Sequence, residues 1–540
     1  MSQLITLNNI DSVAVDSLAA LVTDNATLDG VTTLGAATEI TSLQPVPAWT
    51  QQAKIEASDA QASDRFGRVV SISNDGNTAI IGAYAEDTGG ADAGAAYIFT
   101  RSGSTWSQQS KIQASDKEAG DNFGTSVSIS SDGLTAIVGA YFEDTGANNR
   151  GSAYVFVRSG TTWTQQAKLA PSVTQTNMRY GGSVGISSDG NTVIVGAYGD
   201  KGGASTEWTG AVYIYVRSGT TWSQQARIID NVAGGYFFGS IVSISSDGLT
   251  VAVGVGQEPA LYIFAKSGTT WSQQAKITDI VVGDLSTGSG VSVSSDGNTI
   301  IFGASREDTG ATDAGAAYIF TRSGTSWSEQ AKIQASDKEA NDYFGSSVSI
   351  SSDGLTAIVG AGGEDTGGAD AGAAYIFKRS GSTWSQQVKI QASDIAAEDN
   401  FSWSVSISGD GSTAIVGSEQ PPYGTDPGSA YIFTLPNPTL DISQSSIFTN
   451  SGLSADFTAN FINVPTIDNR TISAALILEQ GATGYLPTAV QIDGVDQTIL
   501  WQGAVVPAPS INASDIVRFT LLRFEGAWTV LASLIKFGSV

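Results

Sequence analysis

The chain has 540 residues, enough for two or three domains, and 41% of them are apolar, enough to build folded cores. Lys and Arg total 26 against 52 Asp and Glu, so the net charge of −26 repels a phosphate backbone and argues against nucleic acid as a partner. The absence of Cys and His excludes disulfides, thiolate metal sites and the catalytic groups of most familiar hydrolases.

Residues 1–46 are rich in Thr, Ala, Leu and Asp. They lack a basic start, and Asp11 and Asp16 interrupt their apolar pattern, so the segment does not resemble a signal peptide. It is too short for a core of its own, and we interpret it as a docking arm, with a disordered leader as the alternative. No apolar run in the chain approaches the roughly 18 residues of a membrane-spanning helix, so membrane insertion is not expected.

Residues 47–434 contain a sequence repeated seven times. Each unit has a Trp about 25 residues before an Asp-Gly pair. The Trp residues are Trp49, Trp106, Trp163, Trp222, Trp271, Trp327 and Trp384. The pairs begin at Asp75, Asp132, Asp189, Asp247, Asp296, Asp353 and Asp410. Six to eight supersecondary units of this length are typical of a closed ring of blades.

Each unit predicts four strands. In the second unit, residues 126–130 alternate apolar and polar side chains, Asp132-Gly133 forms a tight turn, and residues 135–140 begin a second apolar run. Strands at 152–158 and 162–169 follow, joined by a Ser-Gly turn. Four short antiparallel strands repeated seven times predict a seven-bladed β-propeller.

The repeat is permuted at its ends, because the first unit begins with the Trp strand and the last stops after residues 430–434. We therefore expect residues 49–55 to supply the outermost strand of the seventh blade and so to close the ring.

The start of each unit resembles the FG-GAP repeat of integrin α-subunit propellers. The resemblance is carried by VGA-type motifs and by FG pairs that begin at Phe66, Phe123, Phe238 and Phe344. Tyr180-Gly181 and Phe401-Ser402 are close variants, and the segment before Val291 lacks the Phe. In integrins this resemblance implies a DxDxDG calcium loop between the first two strands. Here that loop is shortened to SSDGLT, so the family's metal site is not carried over.

The repeated Trp residues and the Tyr of the AYIF motif could form a ring of sugar-stacking platforms. We favour packing between blades, because residues that recur in every unit serve a need of every unit. The Gly of VGA is interpreted in the same way, as a strand position where another backbone approaches closely.

The two long loops of each unit are expected to share one face, and they are strongly acidic. Clustered carboxylates suit a hard cation, so a Ca²⁺ site is one hypothesis, and a solvated acidic rim that aids solubility is the alternative. The candidate ligands are Asp116, Glu118, Asp121, Asp337, Glu339, Asp342, Asp394 and Asp399. A glycosidase pair is not expected, because such a pair occupies one special site, whereas these acids recur.

Units three and four depart from the repeat on the same face. In unit four, residues 253–264 have lost the acidic EDTG loop, and in unit three basic and aromatic residues replace acids. A blade does not need these departures for packing, so they are candidates for a ligand site, with drift in a tolerant loop as the alternative. The candidate ligand-binding residues are Arg179, Lys201, Trp208 and Glu258.

Residues 435–440 carry prolines and predict a linker to a C-terminal domain, 441–540. Strands predicted at 471–478, 489–493, 498–503, 516–524 and 528–537 fit a small antiparallel β-sandwich. Residues 484–503 and 515–534 resemble the terminal domain of fibre and other virion structural proteins of marine tailed phages.

The expected fold is all-β: a seven-bladed propeller of four-stranded blades, a small C-terminal β-sandwich and an N-terminal arm. The expected function is non-enzymatic display on a phage virion, with attachment to a host surface glycan or protein and docking to other virion proteins through either end. A bacterial extracellular FG-GAP adhesin is the alternative, and a glycan-active enzyme is a weaker one. The sequence leaves open a homo-oligomer.

Overall fold

The chain divides into two units, Trp49–Leu435 and a second unit that combines Met1–Ala48 with Pro436–Val540. The computed structural model describes the first unit at residues 49–202, 208–229, 237–256, 260–278, 290–419 and 426–435. In the second unit it describes only the strands given below. No helix in the described part of the chain has the length and apolar character needed to cross a membrane.

Strands β1 (Thr6–Leu7) and β2 (Thr27–Leu28) pair in parallel in the second unit. The first unit begins with β3 (Thr50–Ile55). Seven four-stranded sheets then follow, each built from consecutive antiparallel strands. The first strand of each sheet is called the inner strand, and the fourth is called the outermost strand.

The strands of the first three blades are as follows. Blade one has β4 (Phe66–Ile72), β5 (Thr78–Ala83), β6 (Ala95–Ser102) and β7 (Thr105–Ile112). Blade two has β8 (Phe123–Ile129), β9 (Thr135–Ala140), β10 (Ser152–Ser159) and β11 (Thr162–Leu169). Blade three has β12 (Tyr180–Ile186), β13 (Thr192–Ala197), β14 (Ala211–Ser218) and β15 (Thr221–Ile229).

The remaining blades follow the same order. Blade four has β16 (Phe238–Ile244), β17 (Thr250–Val255), β18 (Leu261–Ser267) and β19 (Thr270–Ile277). Blade five has β20 (Val291–Val293), β21 (Thr299–Ala304), β22 (Ala316–Ser323) and β23 (Ser326–Ile333). Blade six has β24 (Phe344–Ile350), β25 (Thr356–Ala361), β26 (Ala373–Ser380) and β27 (Thr383–Ile390). Blade seven has β28 (Phe401–Ile407), β29 (Thr413–Ser418) and β30 (Ser429–Thr434).

The seventh blade is completed by the start of the propeller sequence. Strand β3 pairs antiparallel with β30, with Thr50 opposite Thr434 and Ile55 opposite Ala430. The predicted closure is therefore confirmed, and ladder hydrogen bonds between the two ends of the repeat join the ring. The prediction of a seven-bladed, all-β propeller is confirmed with it.

The core of the propeller lies between adjacent blades. The second strand of every blade is buried along its whole length, as in β9 and β25, because both of its faces are covered by neighbouring sheets. The Phe of the FG pair packs edge-to-face against the Tyr of AYIF, with ring centroids 5.6 Å apart for Phe123 and Tyr154. In blade five the missing Phe has a substitute on the neighbouring strand, because Phe302 fills that core beside Tyr318.

The repeated Trp residues link the outermost strands of successive blades. In six of the seven Trp residues the indole N–H donates to a Gln side chain on the preceding blade, for example Trp163 to Gln109 at 3.0 Å. The other pairs are Trp106–Gln52, Trp222–Gln166, Trp271–Gln225, Trp327–Gln274 and Trp384–Gln330. These contacts place the Trp residues in blade packing, as the sequence analysis favoured.

The Gly of VGA marks the closest approach of two blades. A Cβ atom at Gly139 would lie 1.9 Å from the carbonyl oxygen of Gly181 in the next blade, a distance no side chain can occupy. The corresponding position in blade four is different. A Cβ at Gly254 would meet only side-chain atoms at 3.5 Å, because the next blade lacks the FG pair that approaches elsewhere.

The two faces of the propeller carry different connections. The Asp-Gly and Ser-Gly turns form the short-turn face, and the loops between second and third strands and between blades form the long-loop face. On the short-turn face a ring of backbone hydrogen bonds runs from blade to blade, and we call it the axial ring. Its residues are Asn74, Ser131, Ser188, Ser246, Ser295, Ser352 and Gly409, and the structure gives six bonds among them.

In the second unit the described strands form two sheets. One contains β31 (Thr439–Asp441), β33 (Phe457–Ile462), β35 (Pro487–Ile492) and β36 (Val495–Gln497). The other contains β32 (Ile447–Ser451), β34 (Thr471–Glu479), β37 (Ile499–Trp501), β38 (Ser514–Phe524) and β39 (Ala527–Lys536).

The pairing in these sheets is mixed, whereas the sequence predicted an antiparallel sandwich. Strands β32 and β34 run parallel, as do β31 with β33, β33 with β35, and β37 with β39. The reason is connectivity. The predicted hairpin turns join β35 to β36 and β38 to β39, but consecutive strands elsewhere fall in different sheets, so strands of one sheet meet without a hairpin. Strand β31 also begins inside the segment predicted as a linker.

Candidate functional site

The acidic loops of the long-loop face are built around lysines of the outermost strands. In blade two the Lys168 ammonium lies 2.6 Å from Asp116 and 2.8 Å from Glu143, which belong to the two different kinds of loop. Thr145 accepts a further hydrogen bond from Lys168 at 3.2 Å, and the Tyr154 hydroxyl donates to Asp116. Lysine and hydrogen bonds together hold the pKa of Asp116 below its usual range against the opposing effect of burial.

The same arrangement recurs around the ring. In blade one Lys111 bridges Asp59 and Glu86, and in blade six Lys389 bridges Asp337 and Glu364. Lys54 pairs with Asp394 in blade seven, and Lys332 pairs with Glu307 in blade five. The Glu residues of these groups are buried, so the expectation of a solvated acidic rim is wrong for them. Each of these buried carboxylates is paired with a lysine ammonium, which offsets the cost of burying it.

A second set of loop acids is folded inward. Asp121 is 5% exposed and accepts a hydrogen bond from the backbone N–H of Glu118 at 2.7 Å. Asp342 and Asp399 do the same with Glu339 and Ala396. Burial without a paired cation raises the pKa of Asp121 and of Asp342 to about 6, against the partial compensation of the backbone hydrogen bond.

These contacts separate the candidate Ca²⁺ ligands from one another. Asp116, Asp337 and Asp394 bind lysines, Asp121, Asp342 and Asp399 accept backbone hydrogen bonds, and Glu118 and Glu339 are exposed. Within the described ranges no group of three or more acidic side chains is disposed to hold a metal ion. The lysine ammonium occupies the centre of the oxygen atoms that a hard cation would need.

Nearer the axis, the long-loop face has a different chemistry. Tyr84, Tyr141 and Tyr198 each follow directly after the second strand of blades one, two and three. The same position holds Gly256, Ser305, Gly362 and Glu419 in the other blades. These tyrosines contact arginines and other aromatic side chains in three groups on neighbouring blades, and we call the three groups together the mouth arc. Its residues are Trp403, Arg68, Tyr84, Tyr141, Phe142, Arg179, Tyr198, Phe237 and Trp208.

One end of the mouth arc lies between blades seven and one. The Arg68 guanidinium lies 4.5 Å from the Trp403 ring centroid and 5.7 Å from that of Tyr84. Arg68 and Arg65 both form ion pairs with the buried carboxylate of Glu419. The two arginines thus share one carboxylate, while the Trp403 ring is 40% exposed.

The centre of the mouth arc is Arg179, which the sequence analysis had singled out. Its guanidinium lies 3.9 Å from the Phe142 ring centroid and 5.7 Å from that of Tyr141. Its backbone has φ of 56°, a left-handed conformation. One terminal nitrogen of Arg179 is buried without a hydrogen-bond partner, and no carboxylate in the described part of the chain pairs with it.

The other end is formed by Trp208. Its ring packs against Phe237 at 5.8 Å, and Phe237 packs edge-to-face against Tyr198 at 5.9 Å. Trp208 is 44% exposed. The backbone N–H of Lys201 donates a hydrogen bond to the Gln175 side chain, and this contact does not join Lys201 to the arc. Glu258 lies outside the described residues, as does most of the short loop around it.

The sequence analysis found Arg179 and Trp208 but missed Trp403, Arg68, Phe237 and the tyrosines. The sequence does contain a signal for the tyrosines. Tyr84, Tyr141 and Tyr198 occupy one repeat position, and the other four units have a small or acidic residue there. A residue that only some units carry is not required by the packing of every unit. Comparing units position by position, instead of loop by loop, would have identified it.

Comparisons with known structures find matches at low sequence identity. The β-propeller domain of Cps50 (Swd1) from Myceliophteria thermophila is 10% identical, with a TM-score of 0.48, over 72% of this chain and 99% of that one. The periplasmic gluconolactonase PpgL of Pseudomonas aeruginosa is 15% identical, with a TM-score of 0.43, over 64% and 89%. Hydrazine synthase of Kuenenia stuttgartiensis is 12% identical, with a TM-score of 0.46, over 68% and 96%. No curated protein matches the sequence.

The FG-GAP repeat matches six segments that together cover more than half of the chain. They are residues 49–99, 106–156, 163–215, 271–320, 327–377 and 384–433. The unmatched stretch between the third and fourth segments contains the shortened unit of blade four. The strand pairing gives seven blades, the family model matches six of the seven repeats, and the chain belongs to the FG-GAP repeat family.

Proposed function

We propose that this chain is a non-enzymatic recognition protein that binds a surface ligand through the mouth arc. An FG-GAP β-propeller suggests a surface or adhesion-type protein. The observation that carries the proposal is the placement of arginines and exposed aromatic rings. In a chain of net charge −26, Arg68 and Arg179 stack on aromatic rings along one arc of the long-loop face, which also carries the exposed rings of Trp403 and Trp208.

Backbone conformation supports a functional reason for these residues. The residue before each FG pair is left-handed in six blades, and Asn, which tolerates that conformation, occupies it in blades two and seven. Arg65, Arg179, Phe237 and Tyr343 stand there in the other four, with φ of 62°, 56°, 58° and 55°. A left-handed conformation costs such residues about 1 kcal/mol or more relative to an extended one. Residues that cost stability and are not required by the repeat are candidates for binding.

The acidic residues support binding without catalysis. A glycosidase uses one carboxyl pair whose environments differ, and such a pair occurs once in a molecule. Here Lys168, Lys111 and Lys389 neutralise equivalent pairs in three blades, and the inward-folded Asp residues recur with the same hydrogen bonds. Repetition of this kind serves the structure of each blade.

The test compares exposed residues on the two faces. Trp208 and Trp403 belong to the mouth arc, whereas Leu134 and Leu249, each 45% exposed, lie in Asp-Gly turns of the short-turn face. The labelled full chain is applied to a printed panel of bacterial cells, surface polysaccharides and surface proteins. We expect the Trp208→Ala/Trp403→Ala variant to lose about tenfold or more in affinity, and the Leu134→Ala/Leu249→Ala variant to bind like the unmodified chain. Equal effects of the two variants would contradict the proposal.

For the biological setting, we propose display on a phage virion. The support is the resemblance of residues 484–503 and 515–534 to terminal domains of marine phage fibre and virion proteins. A bacterial extracellular adhesin is the competing setting, since an FG-GAP propeller suits either surface. Mass spectrometry of purified virions from the source of the sequence distinguishes them. The virion proposal requires this chain among the particle proteins, and its recovery only from bacterial surfaces would support the adhesin.

A further inference from the structure

We infer that the ligand of the mouth arc is an acidic saccharide, with a carboxylate bound by Arg179 and sugar rings stacked on Trp403 and Trp208. This inference rests on the proposed function and names its ligand class. It follows from three features of the arc: one cation with free donors, two exposed indole rings, and a surrounding surface that disfavours densely charged polymers.

Arg179 is the cation that the protein leaves without an anion. Its N–H donors lie in the plane of the guanidinium, so stacking on Phe142 covers a flat face and leaves the donors at the edge. Arg65 and Arg68 share the Glu419 carboxylate, whereas no described carboxylate pairs with Arg179. One terminal nitrogen of Arg179 is buried without a hydrogen-bond partner, so this donor is unsatisfied in the unliganded chain. A planar guanidinium presents its donors in a geometry that matches a carboxylate in two parallel hydrogen bonds.

Exposed indole rings favour a saccharide over a small anion. Among the described residues, only four large apolar side chains are exposed, and both tryptophans of that group belong to the mouth arc. An indole ring offers the flat apolar surface on which the C–H face of a sugar packs, while the hydroxyl groups of the sugar remain in water. Trp403 and Trp208 lie at opposite ends of the arc, so the arc fits several linked sugars better than one.

The tyrosines between them supply neutral hydrogen-bond donors. Burial raises the pKa of Tyr84, Tyr141 and Tyr198, to about 12 for Tyr141, so all three hydroxyls stay protonated at neutral pH. A protonated phenol can both donate to and accept from a sugar hydroxyl. These groups add polar contacts without adding charge.

The charge of the whole chain limits the density of acid in the ligand. At a net charge of −26 the protein repels a polyanion, and Arg179 is the arginine of the arc that pairs with no described carboxylate. A saccharide with a carboxylate on some of its sugars meets this condition. A nucleic acid or a polyphosphate, with one charge per unit, does not.

The experiment uses the full chain and an array of oligosaccharides. Uronate-bearing and sialylated oligosaccharides are printed, each beside the same compound with its carboxyl groups reduced to alcohols, together with neutral glycans and a Glu-rich peptide. The expected result is retention on at least one carboxylate-bearing saccharide and about tenfold weaker retention on its reduced counterpart. Equal retention on both, or retention on the peptide or neutral glycans alone, overturns the acidic saccharide.

Variants separate this inference from the proposed function. Arg179→Met keeps an apolar side chain over Phe142 and removes the charge, and Arg158→Met, at a short-turn arginine bonded to the Gly160 carbonyl, is its control. We expect Arg179→Met alone to abolish the preference for carboxylate, with Arg179→Lys restoring part of it. If Arg179→Met has no effect but Trp208→Ala/Trp403→Ala still abolishes binding, the ligand class is wrong and the mouth arc stands. If neither variant affects binding, the proposed function itself fails.

Discussion

The two ends of the propeller axis differ in how much their residues vary from blade to blade. At the short-turn end, each blade contributes nearly the same residues, and every one of them has a structural partner: a backbone bond of the axial ring, or a side-chain bond within the Asp-Gly turn. At the long-loop end, the equivalent positions carry Tyr in three blades and Gly, Ser or Glu in the other four. Uniform positions are required by the fold, and varied positions near the axis are free for recognition.

This difference explains why a repeat protein can have one binding site. Seven equivalent blades would offer seven equivalent surfaces, and a ligand smaller than the ring needs only one of them. The mouth arc occupies four of the seven blades, while the lysine-centred acid groups hold the outer part of the same face in place. The comparison predicts large effects where blades touch and small ones where a single unit departs from the repeat.

The largest effect is expected at the contact between blades. Gly139→Ala places a Cβ 1.9 Å from the Gly181 carbonyl oxygen, so the two blades must separate. Gly254→Ala is the matched control, because a Cβ at this equivalent position would lie 3.5 Å from its nearest neighbours, which is an ordinary van der Waals contact. We expect the first variant to lose about 3 kcal/mol or more of unfolding free energy and the second to lose less than about 1. Urea denaturation of the full chain measures both, and similar losses would contradict the packing account.

The next effect concerns the lysine-centred groups. Lys168→Met leaves Glu143, which is 3% exposed, buried without its cation, and we expect a loss of about 2 to 3 kcal/mol. Lys266→Met is the control, because Lys266 lies over the Trp271 ring near the short turn and pairs with no described carboxylate.

The role of lysine as the resident cation has a second readout. Millimolar Ca²⁺ should leave the thermal midpoint of the unmodified chain unchanged, because lysines already occupy the centres of the acid groups. A rise in that midpoint of several degrees, reversed by a chelator, would restore the hypothesis that the acidic loops bind calcium.

Most of the fold followed from the sequence, for a physical reason. The same pattern of strands and turns occurs seven times, so each copy supports the interpretation of the others. The apolar alternation and the Asp-Gly pairs therefore predicted the blades, and the permuted ends predicted that residues 50–55 close the ring. The C-terminal strands have no such repetition. Their existence was predicted, but parallel pairing between strands distant in sequence leaves no local signal, so the arrangement of the two sheets was not.

The site was less accessible from the sequence. Arg179 and Trp208 stood out as departures from a loop motif, but the burial of acids such as Glu143 did not, because EDTG has the appearance of an exposed turn. Only the folded chain brings Lys168, on a distant strand, to that Glu. Trp403 was missed for another reason. It lies within an inner strand, where the alternation of side chains predicts that the position is exposed but does not predict a role in binding.

The pH is expected to change the free energy of unfolding by an intermediate amount. Burial raises the pKa of Asp64, Asp121 and Asp342 to about 6, above the value near 4 of an unfolded chain, so folding favours their protonated form. Their contribution to stability is lost as the pH rises through about 6, and the free energy of unfolding should therefore increase from pH 8 to pH 5. Below about pH 4 the paired acids, such as Asp116, reverse the trend, because lysine lowers their pKa.

Asp121→Asn isolates one of these groups. The amide oxygen can still accept the hydrogen bond of the Glu118 N–H, but it carries no charge at any pH. We expect the variant to be more stable than the unmodified chain by about 1 kcal/mol at pH 8 and equal to it near pH 5, as measured by urea midpoints. Asp75→Asn, in an exposed turn where hydrogen bonds lower the pKa, should not gain stability at pH 8.

The smallest effect is expected at the inner strands. There a Ser hydroxyl accepts a hydrogen bond from the backbone N–H of the next blade, as Ser349 does from Ile407 at 3.2 Å. Blade three has Gly185 at this position, and a Cβ placed there would lie 3.8 Å from the Ile244 nitrogen and 3.0 Å from a movable methyl of Ile194.

Gly185→Ser therefore adds an acceptor that the neighbouring units already have and removes the backbone freedom of a Gly in a strand. We expect a gain of about 0.5 to 1 kcal/mol, with Ser349→Gly losing at least as much as the reciprocal control. The sign decides between two accounts of Gly185. If the serine destabilises the chain while Ser349→Gly does so as well, Gly185 is required by the crowding against Ile194 rather than being a tolerated departure from the repeat. Positions that differ between blades would then be unnecessary for the fold at the long-loop end of the axis, but not along the inner strands.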